Sequence, residues 1–222
     1  MKGDALEIDI EGIRLKLNII QEAPELEPPA GVTFLTQVHG SRVVFSPEGR
    51  EEADGMVMPR GKGCPGLRVA DCLPVFAFWK GFTGAAHAGW RGLAQGVVEN
   101  LLNAVDEPPL ILVFGPCICS GCYEVGEDVR ESVARGDPMG IAGHPPGRAD
   151  LRGGALRRAR KVRGAGFPVI SLNSCTLETP GLHSHRRNGT PLRNIMWLAE
   201  GPSDYHIRHP YHEHENHPPR GD

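Results

Sequence analysis

The sequence predicts an α+β fold built on mixed sheets, and three features lead there. Short apolar or β-branched runs bounded by Gly, Pro or charge recur along the chain. Segments with helical spacing are few, and strands and helices do not alternate in a regular βαβ rhythm. At 222 residues with 40% hydrophobic content, the chain is long enough to bury one sizeable core, so a single domain is expected. Strands are expected over 32–38, 43–46, 55–58, 73–79, 83–87, 110–114 and 167–172. Three helices are expected. In 93–105, Leu93, Val97, Leu101 and Val105 fall along one face. The segment 127–134 opens on acidic residues, which suit the positive end of a helix dipole. In 150–163, Asp150 is placed to cap the N-terminus, while Arg157, Arg158, Arg160, Lys161 and Arg163 crowd the last turns. The Gly- and Pro-rich stretch 138–147 and the residues from about 203 onward read as loops.

Composition narrows the function classes. Net charge is −3 with no dominant acidic or basic block, so nucleic acid is not indicated as an electrostatic partner. The chain shows no charged start followed by an apolar core and a small-residue cleavage site, and no apolar run of bilayer length. A cytoplasmic location is the resulting expectation, with no membrane partner. Six cysteines without an export signal, in a chain larger than a disulfide-stapled scaffold, are expected to be reduced thiols. On the same ground Asn188-Gly189-Thr190 is read as a tight turn without a glycan.

Two imidazoles and one thiol stand out: His39 in Thr36-Gln37-Val38-His39-Gly40, Cys72 in Ala70-Asp71-Cys72-Leu73-Pro74, and His87 in Ala86-His87-Ala88-Gly89-Trp90-Arg91-Gly92. A divalent ion such as zinc accepts Cys sulfur and His nitrogen together, and three protein ligands leave the fourth position for water or substrate. A lone His or Cys in apolar sequence is more often a packed core residue, so geometry has to carry the case. The runs 73–79 and 83–87, joined through Lys80-Gly81-Phe82, predict a hairpin with Cys72 just before its first strand and His87 at the end of its second. That places Cys72 beside His87. His39 is expected to close the 32–38 strand, so all three donors would sit at strand ends.

The neighbours of the trio supply further candidates. Asp71 adjoins Cys72 and Gln37 precedes His39 by two residues; such groups orient water or hold an imidazole in one tautomer, although Asp71 equally suits a turn cap. Arg91, ahead of a helix start, is placed to hold an anion such as phosphate, against the alternative of a surface ion pair. Arg186, Arg187 and Arg193 form a second cationic set that is either phosphate-binding or a solvated basic face. Cys117, Cys119 and Cys122 form a thiol-rich run that could bind a second metal, but no fourth ligand is obvious, which favours a structural or incidental role. The His-x-Glu and Pro-Cys-x-x-Cys signature of zinc nucleoside deaminases is absent. The tail carrying His206, His209, His212, His214 and His217 is Pro-rich and charged, and is expected to be mobile.

In order along the chain, Gln37-Val38-His39-Gly40, Ala53-Asp54-Gly55, Ala70-Asp71-Cys72-Leu73-Pro74, His87-Ala88-Gly89-Trp90-Arg91-Gly92, Gly115-Pro116, Cys122-Tyr123-Glu124-Val125-Gly126 and Ser184-His185-Arg186-Arg187-Asn188-Gly189 resemble the YfiH-like family, also called the laccase-domain or multicopper polyphenol oxidoreductase family. The resemblance runs from about residue 30 to about 200. It implies stacked sheets flanked by helices, a layered αββα-type sandwich forming one catalytic domain. It also implies a zinc-dependent purine nucleoside phosphorylase acting on adenosine, inosine and methylthioadenosine with phosphate, plus adenosine deaminase activity, with His39, Cys72 and His87 as ligands. Two departures are visible. Nothing before Gly31 matches the family's usual N-terminal block, and His185 and Asn188 replace its usual Tyr and Asp. Arg193 falls on the Arg of the family's following Thr-Gly-Arg. Two alternatives remain open: a hydrolase with Cys72 as nucleophile and His87 as base, and a copper-dependent polyphenol oxidase using His183-x-His185 or the tail. Monomer and homodimer are equally compatible with the sequence.

Overall fold

Leu6, Ile8 and Ile10 alternate with Glu7 and Asp9, and Ile13, Leu15 and Leu17 alternate with Arg14 and Lys16. These residues form an antiparallel hairpin of β1 (Leu6–Ile10) and β2 (Ile13–Gln21). Its turn, Glu11-Gly12, has positive φ at both positions (51° and 77°), the geometry a two-residue hairpin loop favours. Neither strand is among the sequence-based expectations, although the period-two alternation is plain. The computed structural model describes residues 6–23, 29–136 and 147–201. The expected 138–147 loop, all but its last residue, and the His-rich tail lie outside the described residues.

The hairpin opens a five-stranded sheet. β2 pairs with β11 (Asn194–Glu200), β11 with β6 (Cys64–Val69), and β6 in parallel with β3 (Val32–Thr33). A six-stranded sheet joins β4 (Val43–Phe45), β5 (Gly55–Pro59), β7 (Leu73–Phe78), β8 (Phe82–Ala88), β9 (Ile111–Phe114) and β10 (Val169–Ser171) in the order β10-β9-β7-β8-β5-β4. Its two edge pairs are parallel and its central pairs antiparallel. Both sheets are thus mixed, as expected. The strands at 64–69 and 194–200 are additional to the expected set, and β3 stops at Thr33, five residues short of the expected strand end.

Alternation along β7 shows how the layers are glued. Phe76 and Phe78 pack between the two sheets with Leu15, Leu17, Leu67, Val113 and Met196, while Val75 and Ala77 face Val98, Leu101 and Leu102 on the helical side. Each fully buried side chain of this size contributes about 1.5–3 kcal/mol. The expected 93–105 helix is two: α1 (Trp90–Gln95) and α2 (Val97–Asn103), divided at Gly96, whose φ of 89° ends one and begins the other. α3 (Glu127–Gly136) packs on α1. α4 (Leu151–Arg163) starts as expected, with the Asp150 carboxylate accepting from the Gly153 N–H at 3.0 Å. Its last turn is tied to the end of α2, because Arg163 donates to the carbonyls of Leu102 and Val105. No helix among the described residues is long and apolar enough to cross a membrane.

Candidate functional site

The β7–β8 hairpin forms as expected and sets the first half of the site. It pairs Leu73 with Ala88 and Pro74 with His87, so Cys72 at one end lies beside His87 at the other. His39 arrives differently. It belongs to the irregular segment after β3 and adopts φ 61°, a left-handed conformation unusual for a residue with a side chain. The expectation that His39 closes a strand is therefore corrected. The donor atoms of His39, Cys72 and His87 lie within 4.8 Å of one another, with the two imidazole rings edge-on, centroids 4.7 Å apart. His87 is buried, Cys72 half-buried and His39 exposed, so the trio opens to solvent on the His39 side.

Asp54 explains how the trio is held. Its fully buried carboxylate accepts the backbone N–H groups of Val38 (3.1 Å), His39 (2.9 Å) and Gly40 (2.7 Å), which fixes the left-handed turn at His39. The same carboxylate meets Nδ1 of His87 at 2.8 Å, leaving Nε2 as the nitrogen that faces the trio. Sequence reasoning missed this role, although Ala53-Asp54-Gly55 is one of the family-like blocks. Burial pushes the Asp54 carboxyl up, but hydrogen bonds from His87 and Gly40 outweigh it and hold the group below its usual value.

Without a metal, the electrostatics of the trio favour a Cys72 thiolate beside a His87 imidazolium, and a bound metal would take the place of the shared proton. Burial raises the Cys72 thiol, yet the neighbouring His87 charge and hydrogen bonds from His39 and His87 bring its pKa down from 9.0 to about 6. Burial disfavours the His87 imidazolium, but the Cys72 charge and the Asp54 hydrogen bond raise it from 6.5 to about 9. Space is reserved here as well. A Cβ placed on Gly89 would come within 2.9 Å of Cys72 Sγ and 3.5 Å of the His39 ring. One thiolate and two imidazoles, beside a position where a side chain would press on the Cys72 sulfur, fit a zinc ion with a vacant fourth position.

The other expected residues divide sharply. Gln37 is engaged at both ends of its amide with the main chain of Arg68 (2.9 and 2.8 Å), acting as an extra rung beside β6. Asp71, buried and at φ 89°, accepts from the Thr176 hydroxyl (2.6 Å) and from the N–H of Arg186 (2.7 Å), the latter at the start of α5 (His185–Asn188). Arg187 donates to the carbonyls of Thr176, Leu177, Thr179 and Leu182, and Arg193 to those of Thr190, Pro191 and Leu192. Those two guanidiniums hold loops together. Arg186 instead lies over the Tyr123 ring, 5.3 Å from its centroid, with one bond to the Glu124 carbonyl. Arg91, exposed beside Trp90, also acts electrostatically on Tyr123, as does Cys72. Burial and the Cys72 charge, against the pull of Arg186, raise the Tyr123 phenol to about 12. Tyr123 is thus within electrostatic reach of Cys72, Arg186 and Arg91, whereas Arg187 and Arg193 are braces.

Two other features complete the picture. His183 bonds the Glu22 carbonyl at 3.0 Å, so it braces the N-terminal strands. In place of the expected tight turn, Asn188 is the last residue of α5 and Gly189, at φ 64°, is its C-cap. The thiol-rich run does find partners: Cys119 and Cys122 lie with Cys175 and Glu178, donor atoms within 4.8 Å of one another. The further donors that the run itself does not show come from Cys175 and Glu178.

Comparison with known proteins agrees with this geometry. Residues 9–198 match the family model described as multi-copper polyphenol oxidoreductase laccase. The chain is 38% identical to the Escherichia coli protein named purine nucleoside phosphorylase YfiH, over 77% of this chain and 75% of that one. It is 33% identical to a Pseudomonas aeruginosa protein named purine nucleoside phosphorylase PA4543, covering 76% and 74%. Among solved structures, Neisseria meningitidis protein NMB0706 superposes with a TM-score of 0.71 at 27% identity, covering 87% of this chain and 98% of that one. YlmD from Geobacillus stearothermophilus shares the fold with a TM-score of 0.71 at 20% identity, covering 85% and 92%. With the matched span reaching from β1 into β11 and the His39, Cys72 and His87 donors gathered at one hairpin end, the chain belongs to the multi-copper polyphenol oxidoreductase laccase family, the family of YfiH.

Proposed function

We propose that this protein is a zinc-dependent purine nucleoside phosphorylase that cleaves adenosine, inosine and methylthioadenosine with phosphate, and that the same site deaminates adenosine. The observation that carries the reading is the convergence of His39, Cys72 and His87, with Asp54 fixing both histidines. The names of the relatives supply the reaction class. Bound zinc would supply Lewis acidity at the solvent-facing side of the trio.

The chain's own residues supply the rest. In phosphorolysis a phosphate oxygen bonds to C1′ while the C1′–N9 bond breaks and its electron pair leaves with the purine. Arg186 and Arg91 would receive the phosphate, a reading supported by their lying beside Tyr123 and Trp90 and acting on Tyr123 together with Cys72. Tyr123 keeps its proton up to about 12, so its hydroxyl is available as a donor to substrate at any physiological pH. Asp71 and Gln37 act through what they hold: Asp71 anchors the backbone of Arg186, and Gln37 anchors the segment bearing His39.

One observation favours a second reading. Without metal, Cys72 and His87 form a thiolate–imidazolium pair, the resting state of a Cys–His hydrolase. A panel of nucleosides incubated with zinc-loaded and chelator-treated protein, with and without phosphate, separates the two. The phosphorylase reading expects free base and ribose 1-phosphate only with zinc and phosphate together, and inosine from adenosine without phosphate. Base release that needs no phosphate and survives zinc removal would favour the hydrolase. Phenol oxidation by copper-loaded protein, run as a further arm, would instead point to an oxidase.

A further inference from the structure

We propose that Cys119, Cys122, Cys175 and Glu178 form a second metal site, a closed four-ligand structural centre for zinc separate from the His39, Cys72 and His87 trio. The two halves of the cluster are built alike. Cys119-Ser120-Gly121-Cys122 is a tight turn in which the Cys119 carbonyl accepts the N–H groups of Cys122 and Tyr123, both at 3.0 Å. Cys175-Thr176-Leu177-Glu178 is a second turn, closed by the Thr179 N–H on the Cys175 carbonyl at 2.9 Å. Each turn offers two donors with two residues between them, the spacing that lets one turn supply adjacent corners of a tetrahedron.

The turns face each other because the chain pairs Cys117 with Cys175 in a short parallel bridge, with the Thr176 N–H on the Cys117 carbonyl at 3.2 Å. Across the gap, Cys119 N–H donates to Cys175 Sγ at 3.3 Å and the Cys122 thiol to Glu178 Oε1 at 3.3 Å. All four donor atoms lie within 4.8 Å of one another, and all the cysteines are free thiols. Ligands at zinc–sulfur distances of about 2.3 Å stand about 3.8 Å apart, so small side-chain rotations close the cluster on an ion. Three thiolates and one carboxylate leave no corner for substrate, and sulfur-rich sets select thiophilic ions such as zinc over magnesium or calcium.

Its position gives the centre a purpose. Tyr123 follows Cys122 directly, and Thr176, next to Cys175, bonds the Asp71 carboxylate that also holds the N–H of Arg186. Metal here pins the segments that carry Tyr123 and Arg186 beside the trio.

The test is metal content and cobalt spectroscopy of the full chain, reduced, in the wild type and in C119S/C122S, Glu178→Gln, Cys64→Ser and His39→Ala variants. The expected result is about two tightly held zinc ions per wild-type chain, falling to about one in C119S/C122S and in His39→Ala, and unchanged in Cys64→Ser. Glu178→Gln keeps all three thiols, so the shift of its cobalt spectrum reads the site even where C119S/C122S folds poorly. The wild type should show intense thiolate-to-cobalt absorption that C119S/C122S largely loses, that Glu178→Gln shifts, and that His39→Ala largely keeps. All cysteines lie within the described residues, so the His-rich tail contributes nothing to that band. Zinc content and thiolate absorption unchanged in C119S/C122S would overturn the proposal, as would a Cys119–Cys122 disulfide persisting in reduced, zinc-supplied protein.

Discussion

Asp54 and His87 are joined by a 2.8 Å hydrogen bond between two buried side chains, and the same Asp54 carboxylate holds the backbone at His39. One carboxylate thus orients a ligand from the β8 end and shapes the loop that delivers a second. Asp54→Asn keeps the size but removes the charge and forces one amide N–H toward donors. The expected outcome is zinc affinity at the trio weaker by about 10- to 100-fold, read by competition with a chromogenic chelator. Stability of the metal-free protein should also fall by about 1–3 kcal/mol in a urea titration, because several buried donors lose their acceptor.

Gly89 isolates the space requirement of the trio. Its backbone (φ −72°, ψ 172°) is open to any residue, so a side chain there costs no conformational strain. The added methyl of Gly89→Ala would nevertheless meet Cys72 Sγ at 2.9 Å. We expect zinc at the trio to be lost or weakened by at least about 10-fold, since second-sphere disturbances alone reach that size, with thermal unfolding little changed. Equilibrium dialysis beside a melting curve checks both halves.

The depressed Cys72 pKa gives a pH prediction. A thiol whose pKa falls from 9.0 to about 6 exposes its reactive anion earlier as pH rises. In chelator-treated protein, alkylation of Cys72 should climb with a midpoint near pH 6 and level off above it, while zinc protects the residue. Burial raises the pKa of Cys64 and Cys117, so they should stay slow at neutral pH. Peptide mapping after iodoacetamide at a series of pH values measures this directly. A Cys72 midpoint near 9 would show that His39 and His87 do not act on it.

The arginines should part company. Arg186→Ala is expected to raise KM for phosphate by about 10-fold or more, corresponding to one charge-assisted contact of about 1.5–3 kcal/mol. Arg187→Ala should chiefly lower stability, because its guanidinium braces the carbonyls of Thr176, Leu177, Thr179 and Leu182. Phosphate-dependence kinetics paired with denaturant titration of the two variants decides it.

What could be read from the sequence follows the range of the interactions. The β7–β8 hairpin is local: apolar runs flank a short turn, and Cys72 beside His87 follows from it. The Asp150 cap is local too. His39 is not, because β3 ends at Thr33 and the left-handed turn exists only through Asp54, which no periodicity announces. The β1–β2 alternation was legible and strong. Gly96 marks a possible break in the 93–105 helix, but only packing decides that the chain divides there. The arginines show the opposite limit. Arg186 and Arg187 are adjacent in sequence, yet one faces Tyr123 and the other fastens a loop, and nothing in their order distinguishes them. Cys175 and Glu178 joining Cys119 and Cys122 is likewise a product of tertiary pairing.

The most direct measurement of the central claim is phosphate-dependent release of adenine from adenosine by His39→Ala, assayed on protein whose metal content has been determined. The account predicts that turnover falls to background as the trio's zinc is lost. Undiminished turnover in a variant shown to lack that zinc would contradict it.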